Sequence, residues 1–225
     1  MDQQNVTPGS TEFRERIHQC MVKVKRGKTC AVGVVIASCA TFCYVITDKA
    51  IFANPRSKPY TIVFPEGAKQ KVKHSDVRFA DQLAGFYLEK PHDAAIPNAV
   101  ILSDQTVVRN QTYYMFYYTS LDKIFSGICG ANVTSTGVDT FRHHGNSSCF
   151  GGPVINDERQ LIGISTREDC FLALGAQAIR SELLAILRED DSFVEFSWTM
   201  DGIVQYIRNM HAPQKKSLPL QEPLV

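Results

Sequence analysis

The chain has 225 residues, of which 44% are hydrophobic and 21% are charged, and its formal net charge is +1. This composition is ordinary for a globular protein and excludes a disordered chain, and the near-neutral charge argues against recruitment by nucleic acid or an acidic membrane. The length accommodates one large all-β domain or two small ones.

The first half of the chain is predicted to be a series of strands. Apolar and polar residues alternate in two segments, which is the pattern of half-buried strands, and three short runs are rich in β-branched or aromatic residues. The alternating segments are residues 20–27 and 69–79, and the short runs are residues 30–37, 43–47 and 60–64.

A second series of strands follows a connection at residues 97–103. Its members are predicted at residues 112–118, 126–134, 151–155, 160–165 and 170–178. Strands spaced this regularly indicate one or two β-barrels.

Helices are predicted only late in the chain. Residues 178–189 place Ile179, Leu183, Leu184 and Leu187 on one face, and residues 199–210 place Ile203, Tyr206, Ile207 and Met210 on one face. Pro213 ends the second helix, and the proline-rich polar residues after it predict a mobile tail.

Neither a membrane span nor an export signal is evident. The longest apolar run, residues 31–37, is too short to cross a bilayer, and residues 1–13 lack the basic and apolar segments of a secretory signal. The sequence therefore predicts an intracellular protein, cytoplasmic or nuclear, that does not bind membranes.

The cysteines predict reduced thiols rather than a disulfide framework or a metal centre. They form an odd set without a C-x-x-C pair, and without an export signal we expect most of them to be small buried hydrophobic residues. No four ligands have the spacing that zinc requires, so neither a metal nor another cofactor is expected. The seven are Cys20, Cys30, Cys39, Cys43, Cys129, Cys149 and Cys170.

The most informative segment is residues 149–166, "CFGGPVINDERQLIGIST". A glycine pair and a proline precede an apolar strand, a polar turn follows, and a second strand returns. A turn before a strand of an unrelated β fold would also match "FGGP", but the order of the elements is more specific. With the closing strand and helix that follow, the chain resembles the trypsin-like serine peptidases of the Do/HtrA-like branch over residues 17–189.

The resemblance implies an all-β fold of two six-stranded antiparallel β-barrels, with the active site in the cleft between them and helices near the C-terminus. The implied organisation is a flexible N-terminus (1–16), a first barrel (17–96), a connection (97–106), a second barrel with its closing helix (107–190), a C-terminal helical segment (191–211) and a disordered tail (212–225).

The catalytic positions that the resemblance implies do not hold a complete triad. The family's histidine follows a strand ending in an L-T-x-x-H pattern, and "CYVITDKAIF" places Ala50 there, or Lys49 if the register shifts by one. Asp93 opens the family's D-x-A pattern, and Phe150 occupies the nucleophile position. Since a serine is a poor nucleophile without a base, we expect no serine-type catalysis.

Three functions remain open from the sequence. The first is an inactive homologue, or pseudoprotease, that binds a protein or extended peptide inside the cell in a regulatory or defence-related role, and that binds no nucleic acid. The second is an active endopeptidase with rearranged residues, in which Cys149 is the nucleophile. The third is an oligomeric structural module.

The peptide-binding residues are implied by the same resemblance. The loop before the glycine pair carries the backbone N–H groups of the oxyanion hole in active members, and "GISTRE", residues 163–168, occupies the position of the family's exposed strand edge. The implied binding residues are Ser148, Cys149, Phe150, Gly151, Gly163, Ile164, Ser165 and Thr166.

Overall fold

The computed structural model describes residues 10–53, 59–89, 97–105, 107–108, 110, 112–118, 129–136, 140–143, 151–166, 172–188 and 199–210. Within these ranges most of the chain lies in two curled antiparallel sheets, and helices follow near the C-terminus. The predicted fold class, a pair of β-barrels, is confirmed.

The first sheet is curled, and a short segment of the chain connects its two edge strands. Its strand order is β5-β4-β1-β2-β3-β7-β6. The edge strands β5 and β6 are separated in sequence only by residues 73–76, most of which form a 3-10 helix, so the two edges must lie close together. If β5 and β6 are counted as one interrupted strand, the barrel has six strands. The bounds are β1 Met21–Arg26, β2 Thr29–Ser38, β3 Phe42–Asp48, β4 Tyr60–Val63, β5 Lys69–Val72, β6 Val77–Phe79 and β7 Leu83–Glu89.

The second sheet is a closed ring of six strands with one strand added. The ring runs β12-β9-β10-β11-β14-β13, and β13 pairs again with β12. The short strand β8 pairs in parallel with β13 from outside the ring. The bounds are β8 Ile101–Leu102, β9 Thr112–Met115, β10 Cys129–Thr136, β11 Thr140–His143, β12 Pro153–Ile155, β13 Gln160–Ser165 and β14 Leu172–Gly175.

The segment that connects the barrels, residues 97–103, makes backbone hydrogen bonds to both of them. The N–H of Val100 donates to the carbonyl of Val35 in the first barrel, and the N–H of Ser103 donates to the carbonyl of Leu161 in the second. The connection therefore fixes the barrels to each other.

Strand β1 is more deeply buried than its alternating sequence predicts. Val22 and Val24 fill the first barrel, while Met21 belongs to the core shared with the second barrel. Lys23 is 7% exposed, and its ammonium lies 5.6 Å from the centre of the Tyr118 ring. The prediction of a half-buried strand is wrong for residues 20–24, which are all buried, whereas Lys25 and Arg26 are partly exposed.

An N-terminal helix, α1 (Thr11–His18), was not predicted. The hydroxyl of Ser10 caps it by accepting a hydrogen bond from the N–H of Phe13. Phe13 and Ile17 are buried, and the Phe13 ring contacts the rings of Tyr114 (5.1 Å) and Phe116 (6.1 Å). The expectation of a flexible N-terminus over residues 1–16 is therefore wrong for residues 11–16, since two apolar side chains anchor this short polar segment.

The two late helices agree with the predicted segments to within two residues. They are α2 (Ala176–Leu187) and α3 (Met200–Met210). One oxygen of the Glu182 carboxylate accepts hydrogen bonds from the N–H groups of Gln82 (3.0 Å) and Leu83 (3.1 Å), which joins α2 to the first barrel. No helix in the described ranges has the length and apolarity needed to cross a bilayer.

Candidate functional site

The end of β3 leads directly into the position predicted for the general base. Asp48 is the last residue of β3, and a 3-10 helix, Lys49–Phe52, follows. The Asp48 carboxylate caps this helix by accepting a hydrogen bond from the N–H of Ala50 at 2.6 Å. The local backbone around Ala50 is therefore fixed by an aspartate whose capping role the sequence analysis missed.

Gly151 packs against the same end of β3. Its φ is +80°, and a Cβ on it would lie 2.3 Å from the carbonyl oxygen of Val32 and 2.6 Å from the hydroxyl of Thr47. That hydroxyl in turn donates to the Val32 carbonyl at 2.6 Å. Only a glycine satisfies both the backbone angle and the available space. Gly151 of the second barrel thus meets the end of the strand that leads into Ala50.

Hydrogen bonds from Ser165 hold the glycine pair in place. The N–H of Gly151 donates to the Ser165 carbonyl, and the N–H of Gly152 donates to the Ser165 hydroxyl, both at 2.9 Å. The N–H of Ser165 donates back to the carbonyl of Gly152 at 2.9 Å. Ser165 is fully buried, so the segment directly after position 150 is rigidly positioned.

Four predicted site residues lie outside the described residues: Asp93, Ser148, Cys149 and Phe150. The assignments of Asp93 to the acid position and Phe150 to the nucleophile position therefore remain predictions. The same holds for Cys149 as a rival nucleophile and for the oxyanion-hole backbone.

The predicted peptide-binding edge needs a correction at Gly163, Ile164 and Ser165. Gly163 pairs with Val154 on one side and with Gly175 on the other, and Ile164 is flanked by β12 and β14 in the same way. Ser165 uses both of its main-chain groups on the glycine pair. These three residues are interior sheet positions and do not form a free edge.

A free edge can begin only after Ser165. The N–H of Thr166 donates to the carbonyl of Leu172 at 3.0 Å, away from the glycine pair. Main-chain groups of alternate strand residues point to the same side, so the next residue directed like Ser165 would be Arg167. Arg167 lies outside the described residues.

A cavity of about 210 Å³ lies beside Ala50. Thr166 is 4% exposed, and its hydroxyl oxygen is buried with no hydrogen-bond partner among the described residues. The cavity joins the turn after β3, the turn before β7 and the end of β13. It is lined by Asp48, Lys49, Ala50, Ala53, Asp81, Gln82 and Thr166.

Lys49, the alternative residue at the base position, has an exposed side chain that is held by hydrogen bonds to the backbone. Its ammonium donates to the carbonyls of Ala80 (3.0 Å) and Asp81 (3.2 Å), and its N–H donates to the carbonyl of Gln82 (2.8 Å). These bonds hold the turn after β3 to the turn before β7.

The two histidine side chains in the described part of the chain lie elsewhere. His18 is on α1, where burial lowers the pKa of its imidazole although the charge of Glu66 opposes this. His74 packs against the rings of Phe52, Tyr60 and Phe79 in the first barrel. Neither of them lines the cavity at Ala50.

The fold is that of the trypsin-like serine proteases. Similar solved structures are the inactive form of the Rv3671c protease of M. tuberculosis (16% identity, TM-score 0.57, 77% of this chain and 92% of that chain) and Deg5 (12%, 0.57, 76% and 90%). A third is the serine endoprotease from Yersinia pestis (17%, 0.59, 82% and 69%). No protein-family model matches the chain, and no curated protein matches it in sequence. At these identities the likeness is one of fold.

Proposed function

We propose that this chain is a catalytically inactive homologue of the trypsin-like serine proteases that binds a protein or an extended peptide. The observation that carries the proposal is Ala50, which lies in the first turn after β3, next to the strand end against which Gly151 packs. In the predicted alignment this is the position of the general base, and a methyl group cannot accept a proton.

No described side chain that lines the cavity at Ala50 is an imidazole. The Asp48 carboxylate accepts the Ala50 N–H, and the Lys49 ammonium donates to two carbonyls. Without a base, a serine hydroxyl stays a poor nucleophile, and a cysteine reacts only to the extent that its environment forms the thiolate. This argument applies equally to Cys149 as the rival nucleophile.

Peptide binding does not require the missing groups. A strand edge in the cleft can pair with an extended peptide through main-chain hydrogen bonds, and side-chain pockets then select the sequence. In this chain Gly163, Ile164 and Ser165 have partners on both sides and cannot provide that edge, so we propose it for the part of residues 163–168 that follows them. The cavity lined by Ala50 and Thr166 offers a side-chain pocket.

Covalent active-site probes test the loss of catalysis. We expect no labelling by a fluorophosphonate, measured by intact mass. Iodoacetamide should react first at Cys39, which is partly exposed. Slight burial raises the pKa of the Cys39 thiol, but hydrogen bonds with Thr41 and Phe42 and the charge of Arg208 outweigh it and lower the pKa overall. By contrast, burial raises the pKa of Cys20 and Cys43 to about 12.

The Cys39→Ala variant is the matched control for the thiol probe, because it removes the expected site of alkylation and exposes any other reactive cysteine. Stoichiometric fluorophosphonate labelling of Ser147 or Ser148 would show that the chain is an active enzyme. So would rapid alkylation of Cys149 in the Cys39→Ala variant together with peptide hydrolysis that the alkylation abolishes.

A further inference from the structure

The turn between β6 and β7, residues 80–82, is held through hydrogen bonds to its main chain. Its own side chains provide little apolar anchoring, because Ala80 and Gln82 are only half-buried and Asp81 is exposed. A segment with few buried apolar contacts opens locally at a low free energy unless other groups hold it. The position of this turn therefore depends on the groups that bond its N–H and carbonyl groups.

Lys49 holds the carbonyl groups of the turn. Its ammonium donates to the carbonyls of Ala80 (3.0 Å) and Asp81 (3.2 Å), and its main-chain N–H donates to the carbonyl of Gln82 (2.8 Å). Every carbonyl of the turn thus accepts a hydrogen bond from this one residue. Since Ala50 follows Lys49 directly, these bonds join two of the segments that line the cavity at Ala50.

Glu182 of α2 holds the N–H groups at the end of the turn. One oxygen of its carboxylate accepts hydrogen bonds from the N–H groups of Gln82 (3.0 Å) and Leu83 (3.1 Å). Hydrogen bonds to a carboxylate are stronger than those to a neutral oxygen. The neighbouring Leu183 is fully buried in the core cluster that the two barrels share, so α2 presents Glu182 from a fixed place.

We propose that Lys49 and Glu182 are positioning residues of the cleft, which hold the turn between β6 and β7 as a wall of the cavity at Ala50. Asp81 and Gln82 of this turn line the cavity, so a shift of the turn changes the shape of the cavity. Peptide affinity is thereby coupled to the docking of α2 on the first barrel. The effect on a peptide rests on the proposed peptide-binding function, whereas the holding of the turn does not.

Amide hydrogen exchange measured by NMR tests the holding of the turn without any partner. In Glu182→Ala the amides of Gln82 and Leu83 should exchange about tenfold faster, because each loses its hydrogen bond to the carboxylate. The reference is the amide of Val35 in β2, which donates to a carbonyl elsewhere in the first barrel and should keep its rate. Glu182→Gln keeps an oxygen that can accept both N–H groups and should restore most of the protection.

Peptides selected from a random library on the native chain test the coupling to the cleft. Lys49→Ala and Glu182→Ala should each weaken binding of the tightest selected peptide about tenfold. The double variant should weaken it by less than the product of the two, because either change alone frees the turn. Lys71→Ala is the matched control, because Lys71 also donates from the surface, to the Thr61 hydroxyl, but does not line the cavity.

The outcomes separate this inference from the proposed function. Exchange that accelerates at Val35 as much as at Gln82 would overturn the positioning role, since Glu182 would then stabilise the fold as a whole. Localised exchange with unchanged peptide affinity in both alanine variants would overturn the coupling to the cleft. Recovery of no peptide would overturn the peptide-binding function, while localised exchange that Glu182→Gln restores would still support the holding of the turn.

Discussion

Gly151 joins the two barrels at the candidate site, and its role depends on both backbone angle and space. Its φ of +80° is one that residues other than glycine rarely adopt. The Val32 carbonyl oxygen and the Thr47 hydroxyl lie too close to leave space for a Cβ. The glycine pair was recognised in the sequence by its motif. Its partner residues were not predictable, since nothing local in the sequence indicates which strand of the other barrel meets it.

The contact at Gly151 predicts a large loss of stability on Gly151→Ala. Gly67 is the matched control, because its φ of +93° is at least as strained while no atom lies within 4 Å of the place that a Cβ would take. Gly67→Ala should cost about 1–2 kcal/mol of unfolding free energy from backbone strain alone. Gly151→Ala should cost about 1–3 kcal/mol more, because the methyl group also overlaps its neighbours. Equal losses in urea unfolding would show that the contact is not close.

Thr166 shows what residue patterns cannot convey. The sequence identified it as part of a strand edge, and the structure makes Thr166 a lining residue of the cavity beside Ala50, with a buried hydroxyl oxygen. The cavity exists because three segments far apart in sequence meet there, with a small residue at position 50. The burial of one hydroxyl cannot be deduced from the alternation of polar and apolar residues.

The elements themselves were predictable where local signals are strong. Strand β13 was predicted with its observed bounds because polar residues precede a short apolar run, and α2 and α3 were predicted from their apolar faces. Helix α1 was missed because only Phe13 and Ile17, four residues apart, mark its buried side. A single repeat of this spacing in a polar segment is too short to distinguish a helix from a tail.

Helix α1 should contribute to stability as a folded element. Phe13 is fully buried against Tyr114 and Phe116, so Phe13→Ala should lower the unfolding free energy by about 3–5 kcal/mol. Glu12→Ala, one residue earlier, removes only an exposed ion pair with Arg16 and should cost less than about 1 kcal/mol. Similar melting temperatures for the two variants would contradict the docking of α1.

At the scale of the whole molecule, one of the hydrophobic core clusters is shared by the two barrels. This core includes Met21 and Ile46 from the first barrel, Phe116 and Leu174 from the second, and Leu183 from α2. The connection between the barrels adds hydrogen bonds to both. The way the two barrels pack together therefore does not depend on catalytic residues.

The central claim is that the frame of a serine protease is retained while its base and nucleophile are absent. The most direct test is fluorophosphonate labelling of the double variant Ala50→His, Phe150→Ser, compared with the native chain and each single variant. The cavity beside Ala50 leaves room for an imidazole, and position 150 immediately precedes the rigidly held Gly151. We expect weak labelling at residue 150 in the double variant alone, once thermal melting shows that it folds. Labelling of the native chain, or a folded double variant that is never labelled, would contradict the account.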